Sequence, residues 1–264
     1  MLIIIPTYNA ADQVGRVVQG ALRSGFPVVV VDDGSSDDSA AQAAAAGAHV
    51  LRHHANRGKG AALQTGFAYA RTQDVEGVLT LDADGQHNTE EIAALVAAWR
   101  ATPGSLVLGV RSFDPSLMPR RSRIGNHIST FFISRFAGRP HRDTQTGFRI
   151  YPRALLSLPL TTRRFDTETE LLLWASKLGV PLVEVAVQTI YFAGPVDAAD
   201  AATNAEPGAS PGDSGAGNAT HGNAPRTHFR NWEDTLRVIA LVIGSPWWRP
   251  EKLNLDIARS ASST

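Results

Sequence analysis

Short apolar runs and amphipathic stretches alternate through the first 110 residues of the chain. Residues 2–5 (Leu-Ile-Ile-Ile) form a continuous, mostly β-branched run closed by Pro6, the pattern of a buried parallel strand. Val14, Val17, Val18, Ala21 and Leu22 follow at helical spacing, and residues 28–31 are a second buried strand that stops at Asp32-Asp33-Gly34. The same reading predicts a helix over 36–46, a strand over 49–52, a helix over 61–70, a strand over 77–81, a helix over 90–99 and a strand over 106–109. This alternation predicts stacked βαβ units: an α/β, Rossmann-like single domain with a mainly parallel central sheet and helices on both faces.

Three of the predicted strands end in polar turns: Pro6-Thr7-Tyr8-Asn9, Asp32-Asp33-Gly34-Ser35 and Asp82-Ala83-Asp84. All three would meet along the carboxyl edge of the sheet, where open α/β sheets bind ligands. In the segment Leu79-Thr80-Leu81-Asp82-Ala83-Asp84-Gly85-Gln86-His87, an apolar run breaks into two aspartates one residue apart. Two hard oxygen donors at that spacing suit Mg2+ or Mn2+, which proteins bind with one or two carboxylates plus substrate phosphates. The competing reading is an ordinary Asp-Gly turn. Gly58-Lys59-Gly60 lacks the spacing of a dinucleotide fingerprint or a P-loop. It can serve as a glycine-flanked lysine at a helix N-terminus, an anion site, or as a plain helix start with a solvated lysine.

Composition narrows these choices. The 264 residues carry zero formal net charge, so no global basic field recruits nucleic acid. The absence of cysteine removes disulfides and thiolate metal sites and is compatible with a reducing cytoplasm. The N-terminus lacks a basic n-region, and no stretch approaches the roughly 20 apolar residues that span a bilayer. The expected location is cytoplasmic, with a peripheral position on the inner face of the cell membrane.

Beyond residue 110 the pattern changes. Arg111, Arg120, Arg121, Arg123, Arg135, Arg139 and Arg142 concentrate between residues 111 and 145, around an amphipathic helix carrying Ile124, Ile128, Phe131, Phe132 and Phe136. Its apolar face fits either the sheet or a lipid interface. A strand over 148–151, a helix over 167–178 and a strand over 182–187 follow. Thr167-Glu168-Thr169-Glu170 reads as a capping box, with Glu170 reaching back to Thr167. Residues 193–226 hold almost no large apolar side chain and are expected to be a disordered insertion. A helix resumes after His228 and runs to about residue 242, giving a domain over 1–243 and a tail over 244–264.

Taken together, Pro6-Thr7-Tyr8-Asn9, Val31-Asp32-Asp33-Gly34-Ser35, Asn56-Arg57-Gly58-Lys59-Gly60, Asp82-Ala83-Asp84-Gly85-Gln86-His87 and Asp143-Thr144-Gln145-Thr146-Gly147-Phe148-Arg149 resemble the family 2 glycosyltransferases of the GT-A fold. Glu168-Thr169-Glu170-Leu171-Leu172 and Arg226-Thr227-His228-Phe229-Arg230 continue the resemblance in order. Within that family the chain is similar to dolichyl-phosphate mannose synthase and the bacterial polyprenyl-phosphate glycosyltransferases. It departs where Ala10 stands in place of a frequent Glu, and where residues 193–226 interrupt a usually short loop.

The resemblance implies an inverting, metal-dependent transfer from a GDP- or UDP-linked sugar to a polyprenyl phosphate. A hydroxyl acceptor on a glycan or lipid-like alcohol is the alternative, and a non-catalytic nucleotide-sugar-binding module a third. Donor contacts would come from Pro6, Tyr8, Asn9, Asp32, Asp33, Lys59 and Asp82, and ion ligands from Asp82, Asp84 and Gln86. Asp33 has a competing role as cap of the following helix. Asp84, with Arg111, Arg123 and Arg149 as phosphate clamps, forms the catalytic set, because a guanidinium fork matches phosphate oxygens. A lipid phosphate needs no base, whereas a hydroxyl would. Acceptor-side and base candidates are Asp143, Gln145, Asp166, Glu168, His228 and Arg230.

Overall fold

The computed structural model describes residues 1–111, 146–163 and 166–188, with Arg111 described by its backbone alone. The side chains of Arg111, Arg123, Asp143, Gln145, His228 and Arg230 lie outside the described residues. So do the arginine-flanked helix, the 193–226 insertion and the C-terminal segments.

Among the described residues, seven strands form one sheet: β1 (Leu2–Thr7), β2 (Val28–Asp32), β3 (His49–Arg52), β4 (Gly77–Thr80), β5 (Leu106–Arg111), β6 (Arg149–Pro152) and β7 (Leu182–Val187). Their order is β3-β2-β1-β4-β6-β5-β7, parallel except for β6, which runs antiparallel to both β4 and β5. The mainly parallel α/β sheet expected from sequence is present.

Strand alternation sorts the core into two halves. Ile3 and Ile5 face a cluster with Val14, Val17 and Val18 of α1 (Ala11–Leu22), Ala43 of α2 (Ser39–Ala45), and Leu95 and Trp99 of α4 (Ile92–Ala101). Leu2 and Ile4 face the other cluster, with Leu63 and Phe67 of α3 (Lys59–Arg71) and Leu171 and Trp174 of α5 (Asp166–Lys177). A strand covered on both faces must be apolar at every position, which is why β1 and β2 read as unbroken runs.

Several boundaries differ from the sequence reading. β1 continues through Pro6 and Thr7, which pair with Val31 and Asp32. Pro6 lies past the last β1–β4 pair, Ile4 with Thr80, so its missing N–H costs no ladder bond on that side. α2 starts at Ser39 rather than Ser36, because the preceding residues bind another loop. The Ser36 amide donates to Asn9 Oδ1 at 2.9 Å, and Asp37 accepts from the Ala11 amide at 3.1 Å.

The capping box is also replaced. α5 begins at Asp166, and Glu170 reaches past Thr167 to the preceding loop. Its carboxylate accepts from the amides of Thr161 and Thr162 at 3.0 Å each, and from their hydroxyls at 3.0 and 2.7 Å. The pattern Thr-x-x-Glu was present, but a loop with unpaired amides competed successfully for the carboxylate.

Glu170→Ala strands the buried amide and hydroxyl of Thr162 and frees those of the exposed Thr161. We expect a loss of about 2–4 kcal/mol in unfolding free energy, read from the urea midpoint, since an unsatisfied donor costs about 1–3 kcal/mol and more than one is involved.

Candidate active site

The strand order turns between β1 and β4, and the carboxyl ends of β1, β2 and β4 open into one crevice. β6 enters it from the opposite direction: its first residue, Arg149, pairs with Thr80 at the end of β4. The segment Thr146-Gly147-Phe148 therefore arrives beside Asp82. Thr80 Oγ1 donates to the Gly147 carbonyl at 2.8 Å. A Cβ on Gly147 would fall 2.6 Å from Asp82 Cγ, so any other residue would push that carboxylate out of its observed place.

Lys59 is the centre of the crevice. It is the first residue of α3, after Gly58, and its ammonium lies 2.6 Å from Asp82 Oδ1 and 3.2 Å from Glu168 Oε2. Burial alone would lower the ammonium's pKa, but the two carboxylates reverse that and hold it above the ordinary lysine value. Burial likewise opposes ionisation of Asp82, and Lys59, with His87 second, drives its pKa well below the usual aspartate range. His87 Nε2 stands 3.7 Å from Asp82 Oδ2. Glu168 is shifted upward, mainly by burial, against the pull of Lys59 and Arg149.

Asp84 differs from Asp82. It accepts from the Gln86 amide at 2.9 Å, yet burial and then the charge of Asp82 raise its proton affinity. Two carboxylates in one half-buried place repel, and a divalent cation relieves the repulsion as a proton does. No group of three or more His, Asp or Glu side chains converges to cage an ion among the described residues. A cation there would meet the Asp82–Asp84 pair, with Gln86 adjacent. That partial shell fits Mg2+ or Mn2+, which complete their octahedra with water and substrate phosphate oxygens.

Other expected residues take up structural positions. Arg149, expected as a phosphate clamp, is fully buried beneath the crevice. Its Nε donates to the Thr146 carbonyl at 2.7 Å and its Nη1 to the Glu168 carbonyl at 2.8 Å, so it braces the two segments that flank Asp82. Above it the Tyr151 hydroxyl's pKa is pushed up to about 12, chiefly by burial. Asp32, expected to meet a base or ribose, is also fully buried, accepting from the Ser35 amide at 3.0 Å and pairing with Arg52 Nε at 3.0 Å. Asp33 does not cap α2. It accepts from the amides of Arg57 and Gly58 at 3.0 and 2.7 Å and thereby fixes the turn that precedes Lys59.

Asn9, in the left-handed region at φ +49°, clasps the neighbouring loop through Ser35 and Ser36. Tyr8 is exposed at the end of β1, and Pro6 is buried within that strand. Three contributors were missed from sequence: Arg52, His53 and Gly147. Arg52 was detectable in principle, since a parallel β3 brings it into register with Asp32. Gly147 stands in a motif quoted from the sequence, but its place beside Asp82 follows only from the antiparallel β6.

A mixed sheet with this strand order and a carboxylate pair at the end of β4 is a GT-A arrangement. The family model "Glycosyl transferase family 2" matches residues 2–158, and the chain belongs to that family. The chain is 31% identical to UDP-N-acetylglucosamine--dolichyl-phosphate N-acetylglucosaminyltransferase of Methanococcus voltae, over 53% of this chain and 59% of that protein. It is 27% identical to undecaprenyl-phosphate mannosyltransferase of Micrococcus luteus, over 71% and 82% respectively. Among solved structures, glucosyl-3-phosphoglycerate synthase of Mycobacterium tuberculosis superposes with a TM-score of 0.60 at 22% identity, covering 76% of this chain and 73% of that one. The protein is a family 2 glycosyltransferase.

The charge arrangement makes a prediction that requires no ligand. Between the ordinary aspartate pKa and the raised value of Asp84, the folded chain keeps a proton that the unfolded chain has released. This group's contribution to stability therefore falls as pH rises through that window. Asp84→Asn removes the repulsion and retains the acceptor for the Gln86 amide. We expect it to melt at a higher temperature than the native protein at neutral pH, with the difference vanishing in acid, by differential scanning calorimetry across pH.

Proposed function

We propose that this chain transfers a sugar from a nucleoside-diphosphate sugar to a polyprenyl phosphate, with inversion at the anomeric carbon and with Mg2+ or Mn2+ bound at Asp82 and Asp84. The observation that carries the reading is the carboxylate pair at the end of β4, set in the crevice beside the Lys59 ammonium. An ion there supplies counter-charge to the diphosphate of the donor. The crevice's own residues do the rest. Lys59 sits at the N-terminus of α3, where its charge and the positive end of the helix dipole suit phosphate oxygens. Asp82 and Asp84 supply the ion's oxygen donors, Gly147 leaves Asp82 its space, and Arg149 holds the floor.

In the reaction an acceptor phosphate oxygen attacks C1 of the sugar, the C1–O bond to the diphosphate breaks, and the nucleoside diphosphate departs with that electron pair. A lipid phosphate is already an anion and needs no proton removed. The described base candidates are consistent with this. Glu168 is buried in its pair with Lys59, and Asp166 begins α5 with a partner of its own. The relatives named for dolichyl-phosphate and undecaprenyl-phosphate acceptors support the same reading.

No helix among the described residues is long and apolar enough to cross a membrane. We assign lipid contact to the arginine-flanked amphipathic sequence at 120–136, at the inner face of the cell membrane.

The test is a product assay with UDP- and GDP-sugars, polyprenyl phosphate in anionic vesicles, and added Mg2+ or Mn2+. We expect a glycosyl-phosphoryl lipid of inverted anomeric configuration and a loss of about 10²–10³-fold in turnover for Asp84→Ala, the size typical of removing one electrostatic stabiliser. Product formed only on hydroxyl acceptors would replace the lipid-phosphate assignment. Undiminished turnover in excess chelator would remove the ion from the scheme.

A further inference from the structure

We infer that His53, through a buried clasp with Asp33 and Thr65, is a positioning residue that sets Lys59 against Asp82 and Glu168; this rests on the reading of Lys59 as part of the donor site. His53 follows β3 and is nearly buried, and its backbone amide donates to the Asp32 carbonyl at 2.9 Å. Its Nδ1 donates to Asp33 Oδ1 at 2.6 Å, and its Nε2 shares a 2.8 Å hydrogen bond with the Thr65 hydroxyl.

Each of the two partners leads to Lys59. Thr65 lies on α3, six positions after Lys59, so the imidazole ties the body of that helix to the end of β2. Asp33 holds the other end. Oriented by His53, its carboxylate gathers the amides of Arg57 and Gly58, and Gly58 immediately precedes α3. Gly34 presses the same turn from below. At φ +75°, a Cβ there would meet the backbone of Ala55 and Asn56 at 2.5–2.8 Å.

The first turn of α3 thus has both its entry and its body fixed by one imidazole. The consequence falls on its first side chain. A lysine at a helix N-terminus faces the positive end of the dipole and would otherwise turn away into water. Here the clasp places α3 so that the ammonium reaches two carboxylates from different elements, β4's end and α5. The His53 ring bonds Asp33 and Thr65 and neither of those two carboxylates, so its influence passes through the helix.

The chain contains three lysines, Lys59, Lys177 and Lys252, which makes the effect directly readable. Uniformly labelled lysine in the full chain gives a three-signal side-chain NMR spectrum, with Lys59 assigned by its loss in Lys59→Met. Without any ligand, we expect the native Lys59 resonance to stand apart from the free-lysine position. It should move toward that position in His53→Gln, which cannot span both partners, and in the isosteric Thr65→Val. It should stay in place in Thr65→Ser, which restores the hydroxyl, while the Lys177 signal stays fixed throughout. In parallel, calorimetric affinity for UDP or GDP with Mn2+ should fall about tenfold in His53→Gln and Thr65→Val, the size of one lost charge-assisted contact.

In a double-mutant cycle, Lys59→Met should abolish the further effect of Thr65→Val on affinity. A Lys59 resonance unmoved in Thr65→Val overturns the inference, whether or not His53→Gln folds, and so does full additivity in the cycle. If the resonance moves but native protein binds no nucleoside diphosphate, the positioning stands and the donor-site reading fails.

Discussion

The ammonium of Lys59, held between Asp82 and Glu168, is the interaction on which the arrangement of the crevice depends. It joins three elements far apart in sequence: the first residue of α3, the end of β4 and the first turn of α5. Lys59 and Glu168 are largely withdrawn from water and Asp82 partly so; deleting one partner of a fully buried pair costs about 3–5 kcal/mol because the other is left uncompensated. The pair is therefore weak evidence of added stability and good evidence of fixed geometry. Arg149 shows the same logic one layer down. Its guanidinium bonds two carbonyls, of Thr146 and Glu168, and so holds in place the segments that carry Gly147 and the Glu168 carboxylate.

The two aspartates of the β4 turn are made unequal by their neighbours. Asp82 has a cation at 2.6 Å and stays ionised, while Asp84 has a backbone amide and the repulsion of Asp82. A fold selected for stability alone would place an amide or hydroxyl at position 84. Retaining a carboxylate that raises the energy of the folded state at neutral pH makes sense where a cation relieves it, the usual stability–function trade at a binding site. The upward shifts of Tyr151 and Glu168, both chiefly from burial, mark an interior where electrostatic contacts are little screened.

Much of this was legible in the sequence, and for identifiable reasons. β1 and β2 were readable because two-sided burial demands unbroken apolar runs, and β7 was predicted with its observed limits, residues 182–187. The D-x-D turn was readable because a strand cannot continue through two charged residues. Residue roles were less legible. Asp32, Asp33, Asn9 and Arg149 are polar residues at the ligand edge, and sequence places them there without saying whether they face the ligand or one another. In the structure Asp32, Asp33 and Arg149 turn inward and the exposed Asn9 binds the neighbouring loop, because backbone amides of the loops at 35–36 and 57–58, the Arg52 guanidinium and the carbonyls of Thr146 and Glu168 all need partners. The capping box failed for the same reason, with Thr161 and Thr162 outcompeting the helix's own terminus.

The antiparallel strand β6 explains why such a site needs the second half of the chain at all. A purely parallel sheet brings only strand ends to its carboxyl edge, each followed by a loop that leaves toward a helix. Reversing one strand beside β4 brings a strand beginning to that edge, and with it a segment whose backbone lies flat against Asp82. β6 then ends in the 3-10 turn Arg153–Ser157, where Arg153 donates to the Arg71 carbonyl at the end of α3 and to the Gln73 and Val75 carbonyls just beyond it. The same reversal thus positions α3 from its C-terminal end while Asp33 and His53 hold its N-terminal end. α3 is the helix that carries Lys59, so the lysine's place is determined from both ends of its helix, and the crevice requires no conformational adjustment of that helix to keep a cation between its carboxylates.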